Sequence, residues 1–168
     1  MEIEKKYIIK EKEKTFPCPF PIEKLKKEIK DKGLRITQHY LPIEFIEDVS
    51  KELNLRINFK PNELRLRKFG TKYFVTIKSS GDKKRFELEK RITKEIFDRY
   101  SLVKEKTLEK QRLIKEYKKK KIEFDYYRKY SLITAEIEFR NIREADSFKS
   151  EMKEITGLEK YKNQNLAI

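Results

Sequence analysis

Glu2, Glu4 and Lys6 are separated by single residues, as are Arg65 and Arg67, then Arg85, Glu87 and Glu89, and finally Glu136 and Glu138. In an extended chain successive side chains point to opposite faces, so each set shares one face of its strand. Paired carboxylates are hard oxygen donors suited to Mg2+ or Mn2+, whereas Arg and Lys suit phosphate oxygens. A chamber that gathers both is a phosphoryl-transfer site in outline. Divalent ions there neutralise charge and activate water, and cationic side chains stabilise the group in transfer. No Ser, Cys or His nucleophile is required. His39 is the only histidine and reads as a strand residue, and Cys18, between Pro17 and Pro19, reads as a small packing residue.

The opposite faces of the same segments are apolar: Ile3 and Tyr7, Leu64 and Leu66, Val75 and Ile77 against Lys78, Phe86 and Leu88, then Ala135, Ile137 and Phe139. An ordinary half-buried sheet would turn its charged face to water. Exposed strand positions usually include Thr, Ser and Gln, however, and these stripes are almost wholly ionised. If the strands close into a barrel of about eight, the interior is wide enough for one small ligand. Opposite charges, metal ions and a polyanion can then compensate one another inside it.

The elements that must position these residues follow from periodicity. Strands are expected over 1–9, 35–41, 63–68, 73–79, 84–92, 103–117, 122–127 and 132–139, with Gly70 and the 79–82 turn marking consecutive hairpins. Pro21 at the first helical position, then Ile22, Leu25 and Ile29, predict a helix stopped by Gly33. Between Pro42 and Pro61, Phe45, Ile46, Val49 and Leu53 fit a short helix, whereas Leu55, Ile57 and Phe59 alternate like a strand. Ile96, Phe97 and Tyr100 suggest a covering helix. Asn141 is a natural cap for another, with Ala145, Phe148, Met152 and Ile155 on its apolar face up to Gly157. The expected class is therefore α+β and β-dominated: a closed eight-stranded antiparallel barrel with covering helices, forming one domain over residues 1–168.

Lys and Arg number 43 against 29 Asp and Glu, a formal charge of +14. That sign suits phosphates and is compatible with nucleic acid without requiring it. Lys118–Lys121 could form a basic surface patch, although such a run is commonly a solvated turn. A single cysteine and the lack of a long apolar run fit a cytoplasmic protein with no membrane partner, as a monomer or a homodimer.

The order of motifs resembles the CYTH domain, the triphosphate tunnel metalloenzyme superfamily, nearly end to end. Glu2-x-Glu4-x-Lys6 resembles its N-terminal hallmark. Gln38-His39-Tyr40-Leu41, Leu64-Arg65-Leu66-Arg67, Thr76-Ile77-Lys78 and Arg85-Phe86-Glu87-Leu88-Glu89 resemble its successive strands. Lys110-Gln111-Arg112, Phe124-Asp125, Ala135-Glu136-Ile137-Glu138-Phe139 and the tail Tyr161–Ala167 complete the set. The segment from Pro42 to Asn62 is longer than the family pattern and could cover a tunnel mouth.

The resemblance implies a tunnel in which Lys6, Arg65, Arg67, Lys78, Lys110 and Arg112 grip a triphosphate, with Arg85 as a further phosphate contact. It implies Glu2, Glu4, Glu136 and Glu138 as ligands for Mg2+ or Mn2+. Glu87, Glu89 and Asp125 would support the metal shell or position water, which makes them the catalytic candidates. Hydrolysis of inorganic tripolyphosphate is the first expectation, with ATP and thiamine triphosphate as competitors. Cyclisation of ATP to cyclic AMP, and capture of polyphosphate or RNA without turnover, are the alternatives.

Overall fold

A computed structural model describes residues 1–9 and 20–168. Cys18 and most of the predicted 10–21 connection lie outside the described residues. The chain runs β1 (Glu2–Ile9), α1 (Ile22–Lys32), β2 (Leu34–Leu41), α2 (Ile46–Leu53), β3 (Pro61–Phe69), β4 (Lys72–Ser79), β5 (Lys84–Arg85) and β6 (Glu87–Ile92). It continues through α3 (Lys94–Ser101), β7 (Lys106–Tyr117), β8 (Lys120–Tyr127), β9 (Leu132–Glu138), α4 (Ile142–Ser147), β10 (Lys153–Glu154) and α5 (Asn163–Leu166).

Nine strands follow the order β10-β1-β9-β8-β7-β2-β3-β4-β6, all antiparallel, and β5 pairs back onto β1. The sheet is thus a nearly closed barrel. Residues 84–92 act as one bent strand, broken at Phe86: one half pairs with β4 and the other with Glu2 and Ile3. Counted in this way and without the two-residue β10, the wall has the eight strands expected from the sequence. The bend leaves the far half of β1 without a neighbour on the edge away from β9, and unpaired backbone groups there would be costly. β10 fills that gap, with Tyr7 opposite Glu154 and Ile8 opposite Lys153.

Two apolar clusters lie outside the barrel wall. Leu25 and Ile29 of α1, Ala145 of α4 and Met152 cover Tyr7, Ile122, Phe124, Ile133 and Ile137. Val49 and Leu53 of α2, with Phe97 of α3, cover Leu64, Leu66, Val75 and Ile77. Each such side chain contributes roughly 1.5–3 kcal/mol when fully buried, so the helices hold the wall while leaving the inner face to polar residues.

Several elements differ from expectation. Pro21 stands just before α1, and its carbonyl accepts from the Leu25 N–H. Leu55, Ile57 and Phe59 pack against the second cluster without forming a strand. Val103 closes the end of α3 by a backbone bond to Tyr100, so β7 starts only at Lys106. The helix after Asn141 ends at Ser147 because the chain turns extended at Phe148 and supplies β10. Met152 and Ile155 are buried all the same.

Candidate active site

The inner faces of the strands enclose a cavity of about 320 Å3. Its walls include Glu2 and Glu4 of β1, Arg65 and Arg67 of β3, Lys78 of β4, Arg85 of β5, and Glu87 and Glu89 of β6. Lys110 and Arg112 of β7 and Glu136 and Glu138 of β9 complete the candidates it brings together. Lys6 lies further along, lining an adjoining space of about 70 Å3 that shares Glu4, Arg65, Arg85 and Glu136 with the first. Asp125 is not on either lining; it is wholly enclosed behind Lys110 and Arg112. One end of the lumen is covered by the C-terminal segment, from which Thr156, Tyr161, Lys162, Asn163 and Gln164 reach the smaller space. At the other end Glu138 is exposed and Lys121 and Glu123 form part of the rim.

The lumenal charges are arranged in interlocking pairs. Arg67 donates from one nitrogen to both oxygens of Glu89, at 2.7 and 2.8 Å, and the Thr76 hydroxyl donates to the same carboxylate at 3.0 Å. Lys78 reaches Glu2 at 2.9 Å and also contacts Glu87. Arg85 bridges Glu2 at 2.8 Å and Glu4 at 2.7 Å. Arg112 holds both oxygens of Asp125 at 2.6 Å, contacts Glu123, and reaches Glu136 at 3.0 Å. Lys110 lies 2.6 Å from Asp125, and Lys6 lies 3.2 Å from Glu136.

For Glu2, Glu4, Lys110, Asp125 and Glu136, burial disfavours the charged form and the neighbouring charges either overcome it or fail to. Burial would raise Glu2, but Lys78 and Arg85 overcome it and bring its pKa down to about 2. Glu4 goes the other way, up to about 7, because burial is reinforced by the negative charge of Glu136 and only partly offset by Arg85. Glu136 and Asp125 are held below the usual carboxylate range despite burial, Glu136 by Lys6, Lys110 and Arg112 and Asp125 by Arg112 and Lys110. Burial lowers Lys110 to about 8, against the pull of Asp125.

Acidic and basic side chains balance on the two linings, nine of each, with Glu63, Asp82, Glu123, Lys121 and Lys162 included. Glu4 stands opposite Glu138 in the β1–β9 register, and Glu123 opposite Glu136 in the β8–β9 register. Glu138 has no ion-pair partner among the described residues, and Glu4 carries the strain of its acidic neighbours. An all-oxygen donor set in which Glu4 is crowded by Glu136 and stands opposite Glu138 fits a hard divalent cation. Among the described residues no group of three or more His, Cys, Asp or Glu converges as a ready metal cage. The carboxylates lean instead into the neighbouring Arg and Lys.

Comparison with solved structures decides the fold. The inorganic triphosphatase NE1496 is 26% identical over 98% of this chain and 96% of that one, with a TM-score of 0.55. A candidate adenylate cyclase from Bacillus halodurans matches at 15% identity and a TM-score of 0.53, over 87% of this chain and 84% of that one. The chain has the CYTH, or triphosphate tunnel, fold. No family model and no curated protein sequence matches it.

Within this CYTH tunnel, Gln38, Glu63, Glu123 and Asn163 are among the residues that line the lumen without having been assigned a role from sequence. Strand parity could have found the first three, since Glu63 stands two before Arg65, Glu123 two before Asp125, and Gln38 two before Tyr40. Asn163 arrives only through the folded tail, where its side-chain oxygen accepts from Tyr127 at 2.7 Å and from Lys6 at 3.4 Å. The Lys-rich turn also needs correction. Lys118 and Lys119 make the tight turn with positive φ, whereas Lys121 lines the tunnel rim and pairs with Glu123 at 2.7 Å. The 42–62 segment lays α2 on the outer wall; only its ends, around Ile43, Glu44 and Asn62, border a groove beside Glu63 and Gln164.

Proposed function

We propose that this tunnel hydrolyses a triphosphate in the presence of a divalent cation, with inorganic tripolyphosphate the simplest substrate. The observation that carries this reading is one lumen walled by Arg and Lys from β3, β4, β5 and β7 and by carboxylates from β1, β6 and β9. The structural likeness to an inorganic triphosphatase supports it.

Phosphate oxygens entering the lumen would take over donors that Arg65, Arg67, Lys78, Arg85 and Lys6 now give to carboxylates, together with donors of Lys110 and Arg112 that do not hold Asp125. The carboxylates of Glu2, Glu4 and Glu136 so freed, with Glu138, would hold Mg2+ or Mn2+. When bound, such an ion supplies charge neutralisation and lowers the pKa of water. Glu87 and Glu89, released from Lys78 and Arg67, would orient the attacking water. Asp125 keeps its two cations pointing inward and thereby positions Lys110 and Arg112 rather than touching substrate. The covered end limits exchange with bulk water, which strengthens each electrostatic contact.

Phosphate release is expected to require Mg2+ or Mn2+ and to be faster for tripolyphosphate than for pyrophosphate, because contacts are distributed along the tunnel. Turnover that persists in excess chelator would overturn the metal-dependent reading. If ATP yields mainly cyclic AMP, the enzyme is a cyclase, in which a ribose hydroxyl replaces water. Replacing Arg67 by Ala is expected to raise KM for tripolyphosphate by roughly 10–100-fold, the equivalent of a charge-assisted contact. A steady-state KM within twofold of wild type would remove Arg67 from phosphate binding.

A further inference from the structure

At the covered end the inner face of the barrel becomes an apolar floor. Tyr40 stands two residues after Gln38, Leu108 two before Lys110 and Tyr127 two after Asp125, so all three share the inner parity of β2, β7 and β8. None is more than 3% exposed, and they form one cluster with Leu166 and Ala167 of the tail. Hydrogen bonds tie the tail down as well. The Tyr130 hydroxyl donates to the Leu166 carbonyl at 2.8 Å, and Ile168 exchanges two backbone bonds with Thr107. The cover is thus packed and bonded like core, and the single turn of α5 puts Asn163 three residues before Leu166, on the same helix face.

Asn163 is the one uncharged residue that lines both the larger and the smaller space. Its side-chain oxygen accepts from the Tyr127 hydroxyl at 2.7 Å and from the Lys6 ammonium at 3.4 Å. An ammonium can only donate, so the amide must turn its oxygen to Lys6 and its nitrogen away. Among the described residues nothing accepts from that nitrogen, and it is not enclosed. Two N–H donors are therefore open to the lumen. Tyr127 holds them in place: its ring lies 5.9 Å from the Lys6 ammonium and 5.5 Å from that of Lys110, and its hydroxyl, which accepts from Thr134 at 3.5 Å, is spent on Asn163. The Arg and Lys donors of the lining must leave carboxylates before they can meet phosphate, whereas the Asn163 donors have none to leave.

Resting on the triphosphatase reading above, we infer that Asn163 binds a phosphate oxygen of the substrate through its side-chain N–H groups at the covered end of the tunnel, and that Tyr127 is its positioning residue.

The test is calorimetric binding of tripolyphosphate, with Mg2+, to wild type, Asn163→Ala, Asn163→Asp, Tyr127→Phe and the double variant of Tyr127→Phe with Asn163→Ala, each checked for folding by its melting temperature. Asn163→Asp keeps the oxygen that Tyr127 and Lys6 bond and removes the two donors. Tyr127→Phe keeps the ring beside both lysines and removes only the hydroxyl. Each Asn163 variant is expected to weaken binding about tenfold or more, the worth of a hydrogen bond to a charged group. Tyr127→Phe is expected to weaken it about threefold by itself and not at all beside Asn163→Ala, a coupling that a general loss of stability does not produce. Affinity within twofold of wild type in folded Asn163→Ala and Asn163→Asp overturns the phosphate contact. No loss from Tyr127→Phe, or the same loss in both backgrounds, overturns the positioning role. Failure of tripolyphosphate to be hydrolysed while its binding still depends on Asn163 would instead overturn only the catalytic reading.

Discussion

Glu4→Gln is expected to lower turnover roughly 100-fold or more, the rate equivalent of several kcal/mol of lost charge stabilisation. The change removes the group's capacity for negative charge and almost no volume. Glu4 lies inside the lumen, where Glu136 and burial already lift its pKa to about 7, and it stands opposite Glu138 across β1 and β9. A cation that relieves this crowding depends on both, so Glu138→Gln is expected to act in the same direction and to shift the Mn2+ concentration needed for half-maximal rate upward. Glu109→Gln is the control: its side chain lies on the outer face of β7, exposed and away from Lys110 and Arg112. Kinetics of all three variants over a Mn2+ series provide the measurement. Normal metal-dependent rates in folded Glu4 and Glu138 variants would remove the metal role from these strands.

Asp125→Asn is expected to destabilise the protein by about 3–5 kcal/mol, because it leaves buried Lys110 without its ion-pair partner and Arg112 with only Glu123 and Glu136. Asp125 is fully enclosed, and both of its oxygens are engaged by Arg112 and Lys110 at 2.6 Å. Urea unfolding would show this as a lower midpoint at an unchanged slope. The variant lumen gains net positive charge, so tripolyphosphate with Mg2+ should raise its melting temperature more than that of wild type. A midpoint within experimental scatter of wild type would mean that Lys110 and Arg112 do not depend on Asp125 for their place.

Much of the tunnel was legible in local pattern. Alternation of charged and apolar residues assigns Glu2, Arg65, Lys78, Glu87 and Glu136 to one face of their strands, since the period of a strand is fixed at two whatever surrounds it. The same rule applied further would have put Gln38, Glu63 and Glu123 on that face. Helical spacing was less secure: Ala145, Phe148, Met152 and Ile155 fit one helix face, yet only Ala145 belongs to α4. All three later residues still pack inward because the chain there answers the backbone needs of β1 rather than its own periodicity.

By itself, then, the sequence determined the strands, the inner and outer faces and the kind of chemistry those faces carry, because side-chain direction and ionisation are local properties. The tertiary structure alone decided which carboxylate meets which cation, that Asp125 is enclosed rather than exposed to the cavity, that Lys121 reaches the rim, and that Asn163 returns from the tail to Lys6 and Tyr127. Those outcomes depend on barrel closure, which brings residues more than a hundred positions apart within hydrogen-bond distance, and no periodicity in the chain records that proximity.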